Sequence, residues 1–403
     1  MQKKNIGIFV DSKKISGGAY QELLYNINEL QNFSPDYNFI VLLSSKNLQI
    51  DLSKIKTEFY HLNLNIFQRY ICFLRNFGSL SRRLKKYLFF PNRFEKFLKE
   101  KSIDLVFFTG PSQYSLYLEN TKFMITVPDV MHREFPELPE LNDNSEFQRK
   151  EEILSKSLCR AIKIFTNAPI IKKKISKFYN VEEKKIVIIN HRPSLSVENF
   201  TQPDKEILKK IKSDFSLPNN YIFYPSMYLP HKNHKTIIDV LVNLKKNYRK
   251  IFEVVFCGND IGYLKNIIKY SKEKGVYDQI KFLNFVDDNV LPYLYHESNL
   301  VLMTHISGPT MIPPWEAFKM KKPIIFPDLE GIQEVLDDAV IYTDPFDVDL
   351  IAKKVIEIYG DKDLRDALIN KGYKKYSDIK KDREFEKVLR ELDNFFKIQF
   401  LWQ

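Results

Sequence analysis

The residues best suited to chemistry lie in residues 307–318, which read S-G-P-T-M-I-P-P-W-E-A-F. Gly308 lets the backbone of this loop approach a ligand closely and leaves amide groups pointing outward. Pro313 and Pro314 then precede a predicted helix that has Glu316 in its first turn. A loop that opens into a helix N-terminus concentrates unpaired N–H groups and the positive end of the helix dipole, which suits an anion. An ordinary strand–loop–helix corner of an α/β domain is the alternative.

Other candidate residues follow predicted strands in the first half of the chain. Asp129 and His132 come directly after the apolar run 123–127. In open α/β sheets, ligands bind where the strands end at their carboxyl edge. Gly17 and Gly18 separate the first predicted strand from a predicted helix. This arrangement is compatible with phosphate, but it is a weak signal because a full G-x-G-x-x-G is missing.

The elements that must position these residues alternate between strand and helix along the whole chain. Short apolar runs predict buried parallel strands. A polar stretch at residues 191–220 interrupts the pattern, and we interpret it as a hinge between domains. The predicted strands are residues 4–10, 39–43, 105–108 and 123–127 before the hinge, and 221–224, 252–256, 280–283, 300–303 and 324–326 after it. The pattern predicts an α/β protein with two doubly wound parallel sheets facing a cleft.

The predicted domain boundaries follow from this hinge. We expect a first Rossmann-like domain at residues 1–195 and a second one at residues 196–384. Residues 385–403 form a predicted C-terminal helix, aromatic in character and long enough to cross back onto the first domain.

The composition limits the class of protein. A chain of 403 residues with 44% hydrophobic residues can bury a large core. No apolar run approaches the roughly 20 residues that span a bilayer. The N-terminus leads straight into a strand, so we expect no secretory signal. Cys72, Cys159 and Cys257 lack C-x-x-C spacing, which argues against a zinc site or a disulfide framework and favours the reducing cytosol.

The formal charge of +11 indicates an acidic partner, although lysine-rich genomic usage is an alternative explanation. Residues 67–99 interleave aromatic residues and leucines with basic residues: Arg69, Arg75, Arg82, Arg83, Lys85, Lys86 and Arg93. Such a segment could lie on an anionic membrane, at its inner face, or form helices that pack their aromatic residues inward. We do not expect nucleic-acid binding, because no helix-turn-helix, zinc-finger or RNP pattern accompanies the charge.

Several stretches match a known pattern in both order and spacing. In the second half they read Y-P-S-M-Y-L-P-H-K-N-H-K-T-I-I, F-C-G-N-D, I-K-F-L-N-F-V-D-D, P-P-W-E-A-F-K-M-K-K-P-I-I and G-I-Q-E-V-L-D-D-A. Together they resemble retaining glycosyltransferases of the GT-B fold, family four of that class, most strongly in residues 221–372. In the first half, S-G-G-A-Y resembles the glycine turn near the diphosphate, and V-P-D-V-M-H resembles the acceptor-side loop.

The resemblance implies a role for several residues. Lys232 would bind the donor diphosphate and Glu316 the ribose hydroxyls, while Asp129 and His132 would position or deprotonate the acceptor hydroxyl. The alternatives are a solvated loop lysine, a glutamate stabilised by the helix dipole, and a cap or turn role for Asp129. The implied donor-binding set is Gly17, Gly18, Lys232, Gly258, Val286, Ser307, Gly308, Pro309, Thr310, Met311 and Glu316.

The sequence departs from the family pattern at two positions. The first glutamate of the pattern, eight residues before the second, is Gly308 here, which leaves the donor sugar open. The arginine five residues before the lysine is Met227, so one cation is missing unless His231, His234 or another arginine supplies it. The fold does not require a metal, so we predict neither a metal nor another cofactor.

We therefore predict a metal-independent, retaining hexosyltransferase of cell-surface polysaccharide biosynthesis. Its donor would be a UDP- or GDP-linked sugar, and its acceptor a hydroxyl group of a glycan or lipid-linked oligosaccharide. We expect the protein in the cytoplasm, with peripheral contact at the membrane as one possibility. A catalytically degenerate nucleotide-sugar-binding protein and, less favoured, a GT-B nucleotide-sugar epimerase are the alternatives, because the same fold serves several functions.

Overall fold

A computed structural model describes residues 3–11, 36–45, 57–76, 91–142, 145–308, 312–381 and 384–402. The predicted turn at Gly17 and Gly18 and the helix expected after it lie outside these residues. The described part contains two parallel sheets, one in each half of the chain. The predicted α/β architecture is thereby confirmed.

The first sheet has seven strands in the order β3-β2-β1-β4-β5-β6-β7. They are β1 Lys4–Val10, β2 Tyr37–Leu43, β3 Phe59–His61, β4 Leu105–Phe108, β5 Lys122–Thr126, β6 Ile164–Thr166 and β7 Ile186–Ile188. The described helices of this half are α1 Ile66–Asn76, α2 Arg93–Glu100, α3 Met131–Glu134, α4 Pro139–Asn142, α5 Glu146–Ser157 and α6 Pro169–Tyr179, with short 3₁₀ turns at Gln113–Tyr117 and Glu183–Lys185.

The second sheet has six strands in the order β10-β9-β8-β11-β12-β13. They are β8 Tyr221–Pro225, β9 Glu253–Cys257, β10 Ile280–Leu283, β11 Ser298–Leu302, β12 Ile324–Pro327 and β13 Ile341–Thr343. The described helices are α7 Leu195–Glu198, α8 Lys205–Asp214, α9 His234–Asn247, α10 Leu264–Glu273, α11 Leu291–Glu297, α12 Pro313–Lys319, α13 Gln333–Leu336, α14 Val348–Gly360, α15 Lys362–Lys381 and α16 Glu384–Phe400, with 3₁₀ turns at Pro230–Lys232 and Tyr277–Gln279.

Both sheets have the strand order that creates a ligand-binding crevice. In the first sheet β1 lies between β2 and β4, and in the second β8 lies between β9 and β11. The chain therefore reverses its direction of winding beside β1 and again beside β8. Ligands of doubly wound sheets bind at the carboxyl ends of the strands at such a reversal. The loops after β8 and β11 are therefore where a ligand of the second domain should bind.

Helix α16 crosses back to the first domain, as the sequence predicted. Phe385 and Leu392 share one apolar cluster with Ile6 and Ile8 of β1. Phe9 points to the opposite face and belongs to a different cluster, because successive side chains of a strand alternate. The buried central strand thus needs cover on both faces, and α16 supplies it on one of them.

The two crossings of the chain between the domains are bonded to each other. The Glu384 carboxylate accepts a hydrogen bond from the backbone N–H of Asn190 at 3.1 Å. It accepts a second from the Asn190 side-chain amide at 3.0 Å. Asn190 follows β7, where the chain leaves the first domain, and Glu384 begins α16, where the chain returns.

The domains also touch away from these crossings, through Gly331. Gly331 has a φ of +76°, and a Cβ added to it would lie 2.5 Å from the Cβ of Ile170 in the first domain. Beside it, Lys174 forms ion pairs with Glu134 of its own domain and, at 2.7 Å, with Glu330 of the second domain. A glycine is therefore required here both for its backbone conformation and for the close approach of the domains.

Candidate active site

Lys232 lies in a tightly fixed turn after β8. The residue ends the 3₁₀ turn Pro230–Lys232, and Asn233 then adopts the left-handed conformation with φ 54° before α9 begins. The Tyr224 hydroxyl donates to the Lys232 carbonyl at 2.6 Å. The Thr304 hydroxyl, from the loop after β11, donates to the Asn233 carbonyl at 2.9 Å. The backbone of the lysine is thus held by the two strands at the reversal point of the sheet.

The Lys232 side chain is half-buried and lies in the field of two carboxylates of the first domain. Burial lowers the pKa of Lys232 to about 8, whereas the charges of Asp129 and Glu140 oppose this shift. Within the described residues we find no hydrogen bond or ion pair to the ammonium group. A partly buried cation without a direct partner is well suited to an incoming anion, because electrostatic interactions strengthen when water is excluded.

Glu316, on α12, is almost completely buried, and both of its carboxylate oxygens already accept hydrogen bonds. The Ser194 hydroxyl donates to Oε1 at 2.5 Å and the Ser194 backbone N–H donates to it at 3.3 Å. The Tyr295 hydroxyl donates to Oε2 at 2.8 Å. Burial raises the pKa of Glu316, and these hydrogen bonds partly offset that shift. Three donors leave about one of the four acceptor positions of a carboxylate for a ribose hydroxyl, so this role stays a prediction.

The loop after β11 brings Ser307 against the first domain. Its hydroxyl lies 3.0 Å from the Met131 sulfur. Gly308 has a φ of +83°, and an added Cβ would meet no atom within 4 Å. The backbone conformation, not lack of space, is therefore the reason for glycine at this position. The next predicted donor-binding residues, Pro309, Thr310 and Met311, lie outside the described residues.

Two further predicted donor-binding residues have clear packing roles. A Cβ on Gly258 would lie 2.1 Å from the Ser226 carbonyl oxygen, so only glycine lets the loops after β8 and β9 approach this closely. Val286 is buried in the apolar core of the second domain. Neither observation tests contact with a nucleotide, which remains a prediction for both residues.

Asp129 and His132 lie close together on the first domain but in different environments. Asp129 accepts a hydrogen bond from the Met131 backbone N–H at 3.1 Å, as expected for an aspartate in a turn before α3. His132 is fully buried, and its Nε2 lies 3.0 Å from the Tyr179 hydroxyl and 3.3 Å from Glu151. Burial lowers the pKa of His132, so the imidazole is neutral at neutral pH. Whether either residue acts on an acceptor hydroxyl stays a prediction.

The two histidines beside Lys232 do not replace the cation missing at Met227. Burial lowers the pKa of His234 to about 3, and the positive charge of Lys232 adds to this shift. Burial also lowers the pKa of His231, against the opposing effect of Glu140. Both side chains are therefore neutral at neutral pH, and Lys232 carries the positive charge of this loop alone.

The structure adds residues to the site that the sequence did not indicate. Asp11 directly follows β1 and accepts a hydrogen bond from the Ser112 hydroxyl at 2.6 Å. Burial raises the pKa of Asp11, and hydrogen bonds and the arginines Arg69 and Arg149 oppose this shift. The position of Asp11 after the first strand could have marked it. Glu140, Ser194 and Tyr295 meet the predicted residues only in three dimensions, so no local pattern marks them.

The described residues contain neither a candidate metal site nor a candidate membrane span. They contain no group of three or more His, Cys, Asp or Glu side chains that could hold a metal ion. None of their helices has the length and apolarity to cross a bilayer. That the protein uses no metal remains a prediction.

Comparison with solved structures identifies the fold class. A glycosyltransferase from Rickettsia africae superposes with a TM-score of 0.71 over 98% of this chain and 100% of that chain, at 17% identity. Anabaena HepE, solved with UDP and glucose, superposes with a TM-score of 0.70 over 96% and 99% of the two chains, at 16% identity. Identities this low establish the fold alone, and the fold is GT-B.

Residues 206–375 match the family model described as glycosyl transferases group 1. The matched residues include all six strands of the second sheet. Among curated proteins, the O-antigen chain mannosyltransferase RfbU of Salmonella typhimurium is 27% identical over 195 residues, 48% of this chain and 50% of the relative. The O-antigen chain mannosyltransferase B of Escherichia coli is 23% identical over 235 residues, 58% of this chain and 61% of the relative. This chain thus spans only half to three-fifths of these relatives.

Proposed function

We propose that the protein is a glycosyltransferase that moves a hexose from a UDP- or GDP-linked sugar to a hydroxyl group of a glycan or lipid-linked acceptor. The reaction would retain the configuration at the anomeric carbon, need no metal, and serve cell-surface polysaccharide biosynthesis. The GT-B fold and the match to glycosyl transferases group 1 support the general class. The names of the two O-antigen relatives support the polysaccharide context.

The observation that carries the proposal is the half-buried ammonium group of Lys232 at the carboxyl edge of the second sheet, which makes no hydrogen bond or ion pair with any residue that the structure describes. As the bond between the sugar and the diphosphate breaks, negative charge develops on the leaving diphosphate. A cation fixed in advance, together with the N-terminal end of the 14-residue helix α9, stabilises that charge without reorganisation. The cleft face of the first domain, with Asp129, lies on the side from which an acceptor hydroxyl would approach.

The test is a thermal-shift screen of the purified protein with UDP, GDP, ADP and CMP. A nucleotide present at about a hundred times its Kd should add about 2.7 kcal/mol to the free energy of unfolding. UDP or GDP should raise the melting temperature. In a turnover assay, the protein should then release nucleotide from UDP-glucose or GDP-mannose. If none of the four nucleotides changes the melting temperature, the donor site is not where we propose it.

A nucleotide-sugar-binding protein without transferase activity is the second candidate. Met227 and Gly308 stand where the family pattern has an arginine and a glutamate, and hydrogen bonds within the protein engage both oxygens of Glu316. This candidate predicts a melting shift with UDP or GDP and no release of nucleotide from either donor sugar. Release of nucleotide at a rate proportional to protein concentration would exclude it.

We also propose peripheral contact with an anionic membrane through α1. Its first turns expose Ile66, Phe67 and Tyr70, with 87%, 58% and 58% of their surface accessible. Not all of the predicted basic residues are available to lipid, because Arg75 pairs with Glu119 at 2.7 Å. Arg82, Arg83, Lys85 and Lys86 lie outside the described residues. We therefore test the membrane contact by substitution of the apolar residues of α1.

A further inference from the structure

A buried pair joins the two domains next to Lys232. Glu140, on the one-turn helix α4 of the first domain, accepts a hydrogen bond from His231 Nδ1 of the second domain. The backbone N–H of His231 also approaches the same carboxylate oxygen, at 3.4 Å. Only 8% of the His231 side chain and 13% of the Glu140 side chain are exposed. Because a carboxylate can only accept, the pair fixes the imidazole with its proton on Nδ1.

His231 is connected to both loops that form the donor site. It directly precedes Lys232 within the same 3₁₀ turn. Its carbonyl accepts a hydrogen bond from the Ile306 N–H at 2.9 Å, in the loop that continues to Ser307 and Gly308. A displacement of His231 would therefore move the lysine and the glycine loop together.

The second oxygen of Glu140 has no hydrogen-bond partner within the described residues, although it is buried. Leaving a buried carboxylate oxygen unpaired opposes folding, so stability alone does not explain this residue. The charged groups that act on the pair are Lys232 and Asp129, since both influence the titration of His231. Glu140 thus lies in the electrostatic field of the lysine without pairing with it.

We propose that Glu140 is a positioning residue that couples the first domain to the donor site, acting through His231 on the loop that carries Lys232. Docking of α4 on His231 would hold the ammonium group where the diphosphate leaves. Displacement of a catalytic group by about 1 Å can reduce turnover about a hundredfold, so an indirect contact of this kind is sufficient. The inference rests on the proposed transferase function and extends it to the coupling of the two domains.

The test compares Glu140→Ala and the isosteric Glu140→Gln with the wild-type protein. Two quantities are measured: the Kd of UDP and GDP by calorimetry, and turnover of UDP-glucose and GDP-mannose, both as transfer and as hydrolysis by water. We expect Glu140→Ala to lower transfer and hydrolysis at saturating donor alike, by about tenfold to a hundredfold, and to raise the nucleotide Kd by a smaller factor, because Lys232 is displaced but keeps its charge. Glu140→Gln keeps an oxygen that accepts from Nδ1, so it should recover part of this loss.

Control variants separate positioning from other roles. Glu137→Ala removes an exposed carboxylate from the same segment and should leave turnover unchanged. His231→Asn keeps an amide N–H near the position of Nδ1 and should lose less activity than His231→Ala. Because Glu140 acts through His231, Glu140→Ala should add little further loss to His231→Ala.

Different outcomes would contradict the proposed function and the coupling role of Glu140. If the wild-type protein binds no nucleotide and turns over no donor, the proposed function fails. If the wild-type protein is active and Glu140→Ala retains its turnover, or loses only affinity for the acceptor while hydrolysis persists, the coupling role is wrong. If Glu140→Ala does not fold, the His231 variants decide, because equal turnover in His231→Asn and His231→Ala would overturn the coupling role.

Discussion

Lys232 combines a fixed backbone with a half-buried side chain. Its carbonyl is held by Tyr224 and the next carbonyl by Thr304. The pKa of about 8 follows from burial, which outweighs the attraction of Asp129 and Glu140. An anion bound beside the ammonium group would raise this pKa again, because opposite charges favour the charged form.

Nucleotide binding should depend on pH through Lys232. The ammonium group is charged below its pKa of about 8 and loses its proton as the pH rises through that value. The Kd of UDP or GDP should therefore rise above pH 8, approaching about tenfold per pH unit. In Lys232→Ala this dependence should disappear, and turnover should fall by about a hundredfold or more. Calorimetry between pH 7 and 9 and initial-rate assays measure the two effects.

Lys245 provides the control for this prediction. It lies near the C-terminal end of α9, the helix that follows Lys232, and is exposed. Lys245→Ala makes the same change of charge and should preserve both the rise in Kd and the turnover. An unchanged pH dependence in Lys232→Ala would assign the titration to another group and remove this lysine from the proposed mechanism.

Among the described helices, α1 is the clearest candidate for contact with a membrane. Ser substitutions at Phe67 and Tyr70 should reduce the fraction of protein that floats with vesicles containing anionic phospholipid, because the apolar residues insert at the interface. The measurement is flotation with neutral and with anionic vesicles in low salt. Ile251→Ser, at an equally exposed position of the second domain, is the control.

Two results would contradict the membrane proposal for α1. Equal recovery of the wild-type protein with neutral and anionic vesicles in low salt would exclude the electrostatic contribution. Equal recovery of the wild-type protein and of the variant at Phe67 and Tyr70 would exclude insertion of this helix.

The comparison of elements shows where local sequence suffices. The run 105–108 predicts β4 with the bounds that the structure has, because it is a short apolar segment buried in a parallel sheet. The run 280–283 predicts β10 with its bounds as well, although Lys281 interrupts it and the strand lies at the edge of its sheet. The three-residue strand β3, Phe59–His61, was not predicted. It exists through its pairing with Val41, Leu42 and Leu43 of β2, and a run this short has no periodicity of its own.

The residues of the site also divide into those that the local sequence marks and those that it does not. Lys232 and Glu316 carry motif spacing and could be selected from the sequence. A cap or turn role for Asp129 was an alternative, and the structure contains the hydrogen bond of the turn. The contact between Glu140 and His231 joins residues 91 positions apart, so it follows only from the packing of the two domains. Local patterns report backbone preferences and burial, not contacts across a cleft.

At the scale of the whole molecule, Gly331 limits how closely the domains approach. Gly331→Ala places a methyl group against Ile170 and should hold the cleft more open, which raises the radius of gyration in X-ray scattering. Gly275 has a similar φ of +67° but open space around it, so Gly275→Ala is the control. Each substitution should cost about 1–2 kcal/mol for the left-handed backbone, and only Gly331→Ala should change the shape. Equal radii for the two variants would show that this contact does not set the closed arrangement.

The bond between Asn190 and Glu384 has a mechanical consequence. A single linker would let one domain rotate about several axes relative to the other. Two chain segments that cross side by side and are hydrogen-bonded to each other instead favour rotation about one axis, which passes near Asn190 and Glu384. Motion about this axis is a hinge motion that opens the cleft between the domains. Displacements are smallest near Asn190 and largest at the far edge of the cleft. A small rotation at the pivot would therefore widen the far edge of the cleft most.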